Sequence, residues 1–452
     1  MFAIASPRQS TGCQWSVIWN MSWPLVIATM SVSLIGAVDV QVAGLLGPTA
    51  QAAVGLAEHV LSMFNMLILS VGVGTTAIVA RAVGAKNHSE VEYSTAQSIT
   101  LSLFMGLLLS CCAAWSAHLI IPCFAQDPAV ASQSVMYLGI YALYMVPFSL
   151  VCISNSALRA IGAPGLTVAI VLTELLVNIL GDYATVIGNW PVAGLGIRGI
   201  ACSSIAGAVS ASCVAALCIW YSPLKLAFRK LLPISIDAAM RVLRIGVPAA
   251  IHGVTWALSV FLVFFILKAV HNPTAALASW AIGMRVEALL LIPLIALRLS
   301  VASIVGQSLG ARQTAVAVRA GWSVAGIAVT LMSAIGTAVF MFAKQIVAAF
   351  SADATTIEYT ASFLCFGAVA LPFRGLDNAL SGALQGAGDT RTSMWILLFT
   401  NWIVRLPLAW LLCLKLECGP PGAWMAIAIS GILAALLICL RYAQGSWTKK
   451  AV

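Results

Sequence analysis

The chain has 452 residues, of which 61% are hydrophobic and only 8% charged, and its formal net charge is +9. A soluble globular domain carries about 25% charged residues, so a soluble fold is excluded and a polytopic membrane protein is indicated. The positive charge then belongs to loops at one membrane face, and no nucleic-acid partner is expected.

Residues 1–14 are polar and lack an apolar core, so no cleavable signal peptide is expected. Apolar stretches of the roughly 20 residues that cross a bilayer then recur twelve times. Their limits lie near 16–43, 53–80, 95–121, 134–157, 165–188, 199–221, 245–270, 275–305, 320–343, 357–381, 393–414 and 422–441.

The first span carries Pro24 and Asp39. Proline removes a helix hydrogen bond, which makes Pro24 either a hinge or a tolerated kink. The neighbours of Asp39 at three and four residues are Ile35, Gly36, Val42 and Ala43. None is a cation, so its partner must be another helix, water or a bound proton.

The fifth span holds Glu174, Asn178 and Asp182 at steps of four, with Thr185 three later. On a helix these side chains share one face. A carboxylate at mid-membrane depth costs roughly 2.5–3.5 kcal/mol on insertion scales. The face is therefore a hydrogen-bonded structural seam or a binding face for protons or a cation, and intramembrane acids favour the second. Two acids together without a cation favour holding a proton, so Asp39 beside Asp182 would bind one.

Later spans offer weaker signals. His252 and Trp256, four apart in span seven, face either the core or a cavity. In span eight, Arg285 and Glu287 do not share a helix face and either line a cavity or pair with other helices. Arg374 and Asp377, three apart in span ten, can pair within their helix. Trp256, Arg285, Glu287 and Asp377 are the candidate lining of a substrate cavity. The 12 cysteines are scattered without CxxC or zinc-like spacing. They read as small apolar packing residues, and no metal site is expected from them. No HExxH, GxSxG or DDxxD pattern occurs, which leaves an integral-membrane enzyme as a distant alternative.

Lys and Arg set the orientation. With the N-terminus in the cytoplasm, 15 of the 23 fall on that side, among them Arg8, Arg229, Lys230 and Lys450. Four fall opposite, and Arg285, Arg298, Arg374 and Arg405 lie inside spans. This places both termini in the cytoplasm.

The two halves repeat. Phe124-Ala-Gln-Asp127 returns as Phe350-Ser-Ala-Asp353, and the turns at Gly84 and Gly162 return at Gly310 and Gly388, all at one constant offset. Gly196-Ile-Arg-Gly199 returns as Gly419-Pro-Pro-Gly422 at a slightly shorter one. Six spans per half is an even number, so the halves enter the membrane in the same sense and the repeat is parallel. The expected organisation is a six-helix lobe at 1–221, a basic cytoplasmic linker at 222–244 and a second six-helix lobe at 245–452. Paired bundles of this kind usually bind substrate between them and rock to alternate access. Under the shorter offset, Asn178 and Asp182 align with Asn401 and Arg405. The ion chemistry therefore points to the first half.

With these landmarks the chain resembles the multidrug and toxic compound extrusion (MATE) family over nearly its whole length. The carriers are Pro24, Val38-Asp39, the Gly84-Ala85-Lys86 and Gly310-Ala311-Arg312 turns, Leu-Arg-Ala-Ile-Gly162, Leu-Gln-Gly-Ala-Gly388-Asp-Thr-Arg and Asn178-x-x-x-Asp182. The match is nearest the DNA-damage-inducible F-like branch. The resemblance implies an all-α fold of twelve transmembrane helices in two pseudo-symmetric lobes. It implies export of cationic or amphipathic small molecules against H⁺, or Na⁺ held at Asp39, Asn178 and Asp182. No cofactor beyond the coupling ion is implied. The family's polar partner on span six would be Ser203 or Ser204. An acid on span seven, important in other branches, is missing, and His252 is the polar residue there. The expected protein is a monomer in the cell's inner membrane, in contact with lipid. A lipid-linked saccharide flippase of the same superfamily is the alternative, favoured by the four arginines inside spans.

Overall fold

The structure is a computed structural model that describes residues 11–125, 127–187, 194–225, 227, 231, 234–350 and 353–450. Arg8, Arg229 and Lys230 of the basic set, and Gln126, Ser351 and Ala352 of the repeated landmarks, lie outside the described residues.

Among the described residues, twelve helices are long and apolar enough to cross a membrane. The first six are α1 (Trp15–Leu45), α2 (Pro48–Gly84), α3 (His88–Pro122), α4 (Pro128–Ala160), α5 (Pro164–Val186) and α6 (Ile197–Trp220). The second six are α7 (Ile236–Lys268), α8 (Pro273–Gly310), α9 (Thr314–Ala348), α10 (Ala354–Gly386), α11 (Thr390–Lys415) and α12 (Pro420–Ala443). Most overrun the apolar stretches read from sequence. Their polar ends carry the helix beyond hydrocarbon depth, where hydropathy no longer registers it.

The repeat is written into the backbone. Lys86 and Arg312 adopt φ of 57° and 59°, a left-handed conformation uncommon outside glycine. Gly162 and Gly388 match at 84° and 80°, and Gly196 and Gly419 at 57° and 62°. Asp127 and Asp353 cap the helices that follow, accepting from Ala129 N and Thr356 N at 2.8 Å each. The hydroxyl and the backbone N–H of Thr356 hold the Asp353 carboxyl below the usual carboxylate range.

Two compact units result. One runs to Val247 and takes in Gly310–Arg312. The other comprises Pro248–Leu309 and the chain from Gln313 onward. The core of the first mixes aliphatic side chains and three tyrosines of α4 with small residues at helix contacts, such as Ala53, Ala57, Ala113, Ala117 and Ala208. Small side chains let membrane helices approach closely, where packing rather than the hydrophobic effect holds them. The core of the second is aromatic, centred on Trp280, Phe363 and Trp424.

Candidate functional site

In the first unit α5 packs along both α1 and α6. Gly207 permits the approach of α6, because a Cβ there would stand 2.9 Å from the carbonyl oxygen of Glu174. A wider, π-type turn, Tyr183–Ile187, follows Asp182 directly. Such turns gather at functional sites.

This packing brings most of the expected residues together. Asn178 donates through Nδ2 to Asp39 Oδ1 at 3.0 Å and to Ser204 Oγ at 3.1 Å. Ser204 donates to Asp39 Oδ2 at 2.9 Å. Of the two serines proposed on span six, Ser204 thus closes a triangle with Asp39 and Asn178. Ser203 instead donates to Gly199 O at 2.9 Å and lies 3.4 Å from Thr185 Oγ1.

Asp182 lies beside Asp39. It is 1% exposed, and neither of its carboxylate oxygens has a donor in good hydrogen-bond geometry, with Ser203 and Asp39 its near polar neighbours. Oδ1 of Asn178 is equally buried and unpartnered. Two facing carboxylates can satisfy each other only through a shared proton or a cation. Glu174 is buried one turn before Asn178 and accepts from Tyr144 OH at 2.9 Å. Pro24 lies inside α1, on the same helix as Asp39.

Two features escaped the sequence reading. Glu58 of α2 is close enough to both aspartates to interact with them electrostatically, and its Oε1 is buried without a partner. A charged residue inside an apolar run was the available signal. The second is a ladder of stacked rings on α4, where Tyr137, Tyr141, Tyr144 and Phe148 follow at centroid spacings of 5.3, 4.9 and 5.2 Å. Their spacing of four, three and four is a helical face that aromatics in an apolar run disguise.

The second unit is built differently. Arg374 does not pair with Asp377 of its own helix as the spacing suggested. It reaches across to Glu287 of α8, because a partner on a facing helix can meet the guanidinium head-on. Asp377 accepts from Ser381 at 3.1 Å. Glu287, Arg374 and Arg405 line a cavity with Trp256, Trp280 and Phe363. Trp256 and Glu287 of the candidate lining meet there. Arg285 is exposed, and neither it, Asp377 nor His252 belongs to the lining.

Twelve spans in two parallel repeats, with several acids buried together inside the first, define a membrane transporter rather than an enzyme. The MatE family model matches residues 24–184 and 248–411, and the chain belongs to that family. A probable multidrug resistance protein NorM of Thermotoga maritima is 25% identical over 422 residues, covering 93% of this chain and 90% of its own. A protein of the same description from Rhodopseudomonas palustris is 26% identical over 437 residues, covering 94% and 90%. In fold, the chain matches an outward-facing multidrug resistance MATE transporter with a TM-score of 0.89 at 20% identity, over 97% of both chains.

Proposed function

We propose that the chain is a secondary antiporter that exports cationic or amphipathic drugs in exchange for protons. The coupling site is Asp39, Asn178 and Asp182, with Ser204 as the polar partner on α6. One observation carries this reading: Asp182 and Asp39 are buried side by side, and Asn178 and Ser204, which hold Asp39, bring no positive charge. The names of the relatives support the substrate class.

A proton entering this site satisfies Asp182 and removes a charge from a water-poor pocket. Asn178 and Ser204 fix the geometry of Asp39 while this happens. Neutralisation lets α1 and α5 repack, with Pro24 as the point of bending. By linkage, bound substrate must weaken proton binding by the factor by which protons weaken substrate binding. The unpartnered oxygens of Asp182 and Asn178 also suit Na⁺, which makes Na⁺ the second candidate for the coupling ion.

The protein works as a monomer in the inner membrane with both termini cytoplasmic, as the Lys and Arg bias supports. Residues 222–244 link the lobes at 1–221 and 245–452. Asp39 and Asp182 together favour the DNA-damage-inducible F-like branch. The arginines of the second lobe favour one rival, a lipid-linked saccharide flippase. Export assays with ethidium and with a lipid-linked sugar separate the two. The coupling is tested with Asp39→Asn protein in inverted vesicles under an imposed pH gradient. Drug export should be lost, and full retained export would remove the mechanism. Substrate-induced proton release from purified protein, repeated with Na⁺, identifies the ion.

A further inference from the structure

The place of the second lobe's cavity is set by the repeat. Val263 is the counterpart of Asp39, Met284 and Phe363 are those of Glu58 and Tyr137, and Arg405 and Ile427 are those of Asp182 and Ser204. The offset from Asp39 to Val263 is also that from Pro24 to Pro248, where the two segments matched by the family model begin. The cavity is therefore the counterpart of the carboxylate site. Of these five polar positions four are apolar in the second lobe and the fifth, an acid, is a cation, while Asn178 is matched by Asn401.

That cation is incompletely answered. Arg405 is 7% exposed. It donates from Nε to Ser430 Oγ at 2.9 Å and from Nη1 to Ser259 Oγ at 3.3 Å, both neutral hydroxyls. The carboxylate in the lining, Glu287, is already held by Arg374. Two guanidinium groups against one carboxylate leave the lining with an excess positive charge. Burying an unpaired charge is strongly unfavourable.

Nearby donors also lack acceptors. Trp424 is 1% exposed, stacks on Trp280 at 5.5 Å, and has no partner for Nε1. Asn401, fully buried one turn before Arg405, has none for Nδ2, and its Oδ1 is unpartnered as well, so the amide is free to turn its donor toward a ligand. Phe363 meets Trp280 and Trp424 edge-on at 5.9 and 5.0 Å. The positive edges of aromatic rings tolerate an anion. The space open to the centre of a water-sized group is about 10 Å³, room for one such group. Flexible Met284 in the lining can yield to a slightly larger one.

We propose that this cavity binds a small monovalent anion on Arg405, either a halide ion or the carboxylate head of a larger molecule. The site is separate from the proton site of the first lobe and carries the opposite charge.

The test is equilibrium binding of radiolabelled chloride to the purified full-length protein in lipid nanodiscs, with gluconate as the other anion. No pH gradient and no drug is present, so the result is independent of the antiport reading. Saturable binding, displaced by bromide, is expected. Arg405→Gln should weaken it at least about tenfold, as loss of a charged hydrogen-bond donor implies, and Arg405→Lys should recover part of the loss. Glu287→Gln should strengthen it, because Glu287 is the one carboxylate among the described lining residues. The double variant Glu287→Gln/Arg405→Gln should lose that gain, which a merely structural Arg405 beside a freed Arg374 would leave in place. Labelled benzoate is titrated in parallel, and binding of benzoate without chloride would assign the site to carboxylate heads. Absence of both from folded wild-type protein overturns the proposal, as does unchanged chloride affinity in Arg405→Gln. If Arg405→Gln fails to fold, an unchanged affinity in Glu287→Gln overturns it instead.

Discussion

The two lobes share their backbone punctuation and differ in the charge they bury. Lys86 and Arg312 take the same left-handed turn, and Gly162 and Gly388 do likewise. Yet Asp182 stands where the second lobe has Arg405, and Asp39 where it has Val263. Turn geometry is fixed by local sterics, which admit few residues. The interior of a bundle tolerates any polar group that finds a partner or a use. A repeat therefore preserves the frame while each half is free to acquire its own chemistry.

The comparison breaks most sharply at Asp182. If the first lobe holds the coupling charge, Asp182→Asn should reduce pH-driven export by about 5–150-fold, the span of a typical coupling free energy. Its thermal midpoint should not fall, because the substitution removes one of two adjacent buried acids and no ion pair. Vesicle transport and thermal unfolding on the same preparation check both halves of this expectation. A variant that unfolds earlier and still couples would place the buried acids in the frame rather than the chemistry.

The second effect belongs to the cations of the second lobe. Removing one member of a buried ion pair costs about 3–5 kcal/mol. The two members here are not equivalent. Arg374→Met leaves Glu287 with Arg405 still within electrostatic reach, whereas Glu287→Met leaves two guanidinium groups in one cavity. Glu287→Met should therefore be the more destabilising, near the top of that range, and Arg374→Met clearly less so. Thermal unfolding of the two variants side by side measures the order. Equal losses would mean that Arg405 does not sense the pair.

How much of this was legible follows from what a single helix reveals. Asp39, Asn178 and Asp182 stood out because charge and amide interrupt apolar runs at helical spacing. Glu58 did not, since no second acid or amide stands three or four residues away to mark a face. The tyrosine ladder hid because aromatic residues suit a membrane helix anyway. The partner of Arg374 was misread for a related reason. Spacing shows neighbours on one helix, and Glu287 sits on another. The start of α7 at Ile236 lay beyond the apolar stretch expected at 245–270, because Arg241 and Arg244 make its first turns polar.

A third contrast concerns how closely helices approach. Gly207 of α6 has Ser430 of α12 as its counterpart in the repeat, and Ser430 uses its side chain to hold Arg405. In the first lobe no side chain fits. Gly207→Ala would put a methyl group 2.9 Å from Glu174 O, and overpacking of this kind costs about 1–3 kcal/mol. It should also push α6 from α5 and weaken the Ser204–Asn178 contact. Reduced proton release at unchanged expression would register that shift, and wild-type release and stability in Gly207→Ala would show that the two helices have slack.

The smallest expected effect lies outside the membrane spans. Asp389 is the counterpart of Ala163, so only the second lobe has an acid at this turn. Its side chain is 0% exposed and pairs with Arg441 at 2.9 Å and with Lys450. Thr392 donates to it at 2.7 Å. Burial alone would push the carboxyl up, but the hydrogen bonds of Lys450, Thr392 and Arg441 together hold it below the usual carboxylate range. A depressed pKa in the folded state gives stability that is complete above the unfolded value, about 3.9, and is lost as pH falls through the folded one. The latch should therefore hold the C-terminal segment throughout the neutral range and release it only in strong acid. Asp389→Asn keeps the shape and removes the charge, at a cost of about 1–3 kcal/mol. Its penalty should be constant near neutrality and fall away below about pH 4. Thermal midpoints of both proteins across that range measure it. A penalty that grew on acidification would mean that the pairing with Arg441 and Lys450 does not stabilise the turn. Trp447 is fully buried and stacks on Tyr442 at 4.7 Å, so the segment keeps an apolar anchor and the loss should remain local.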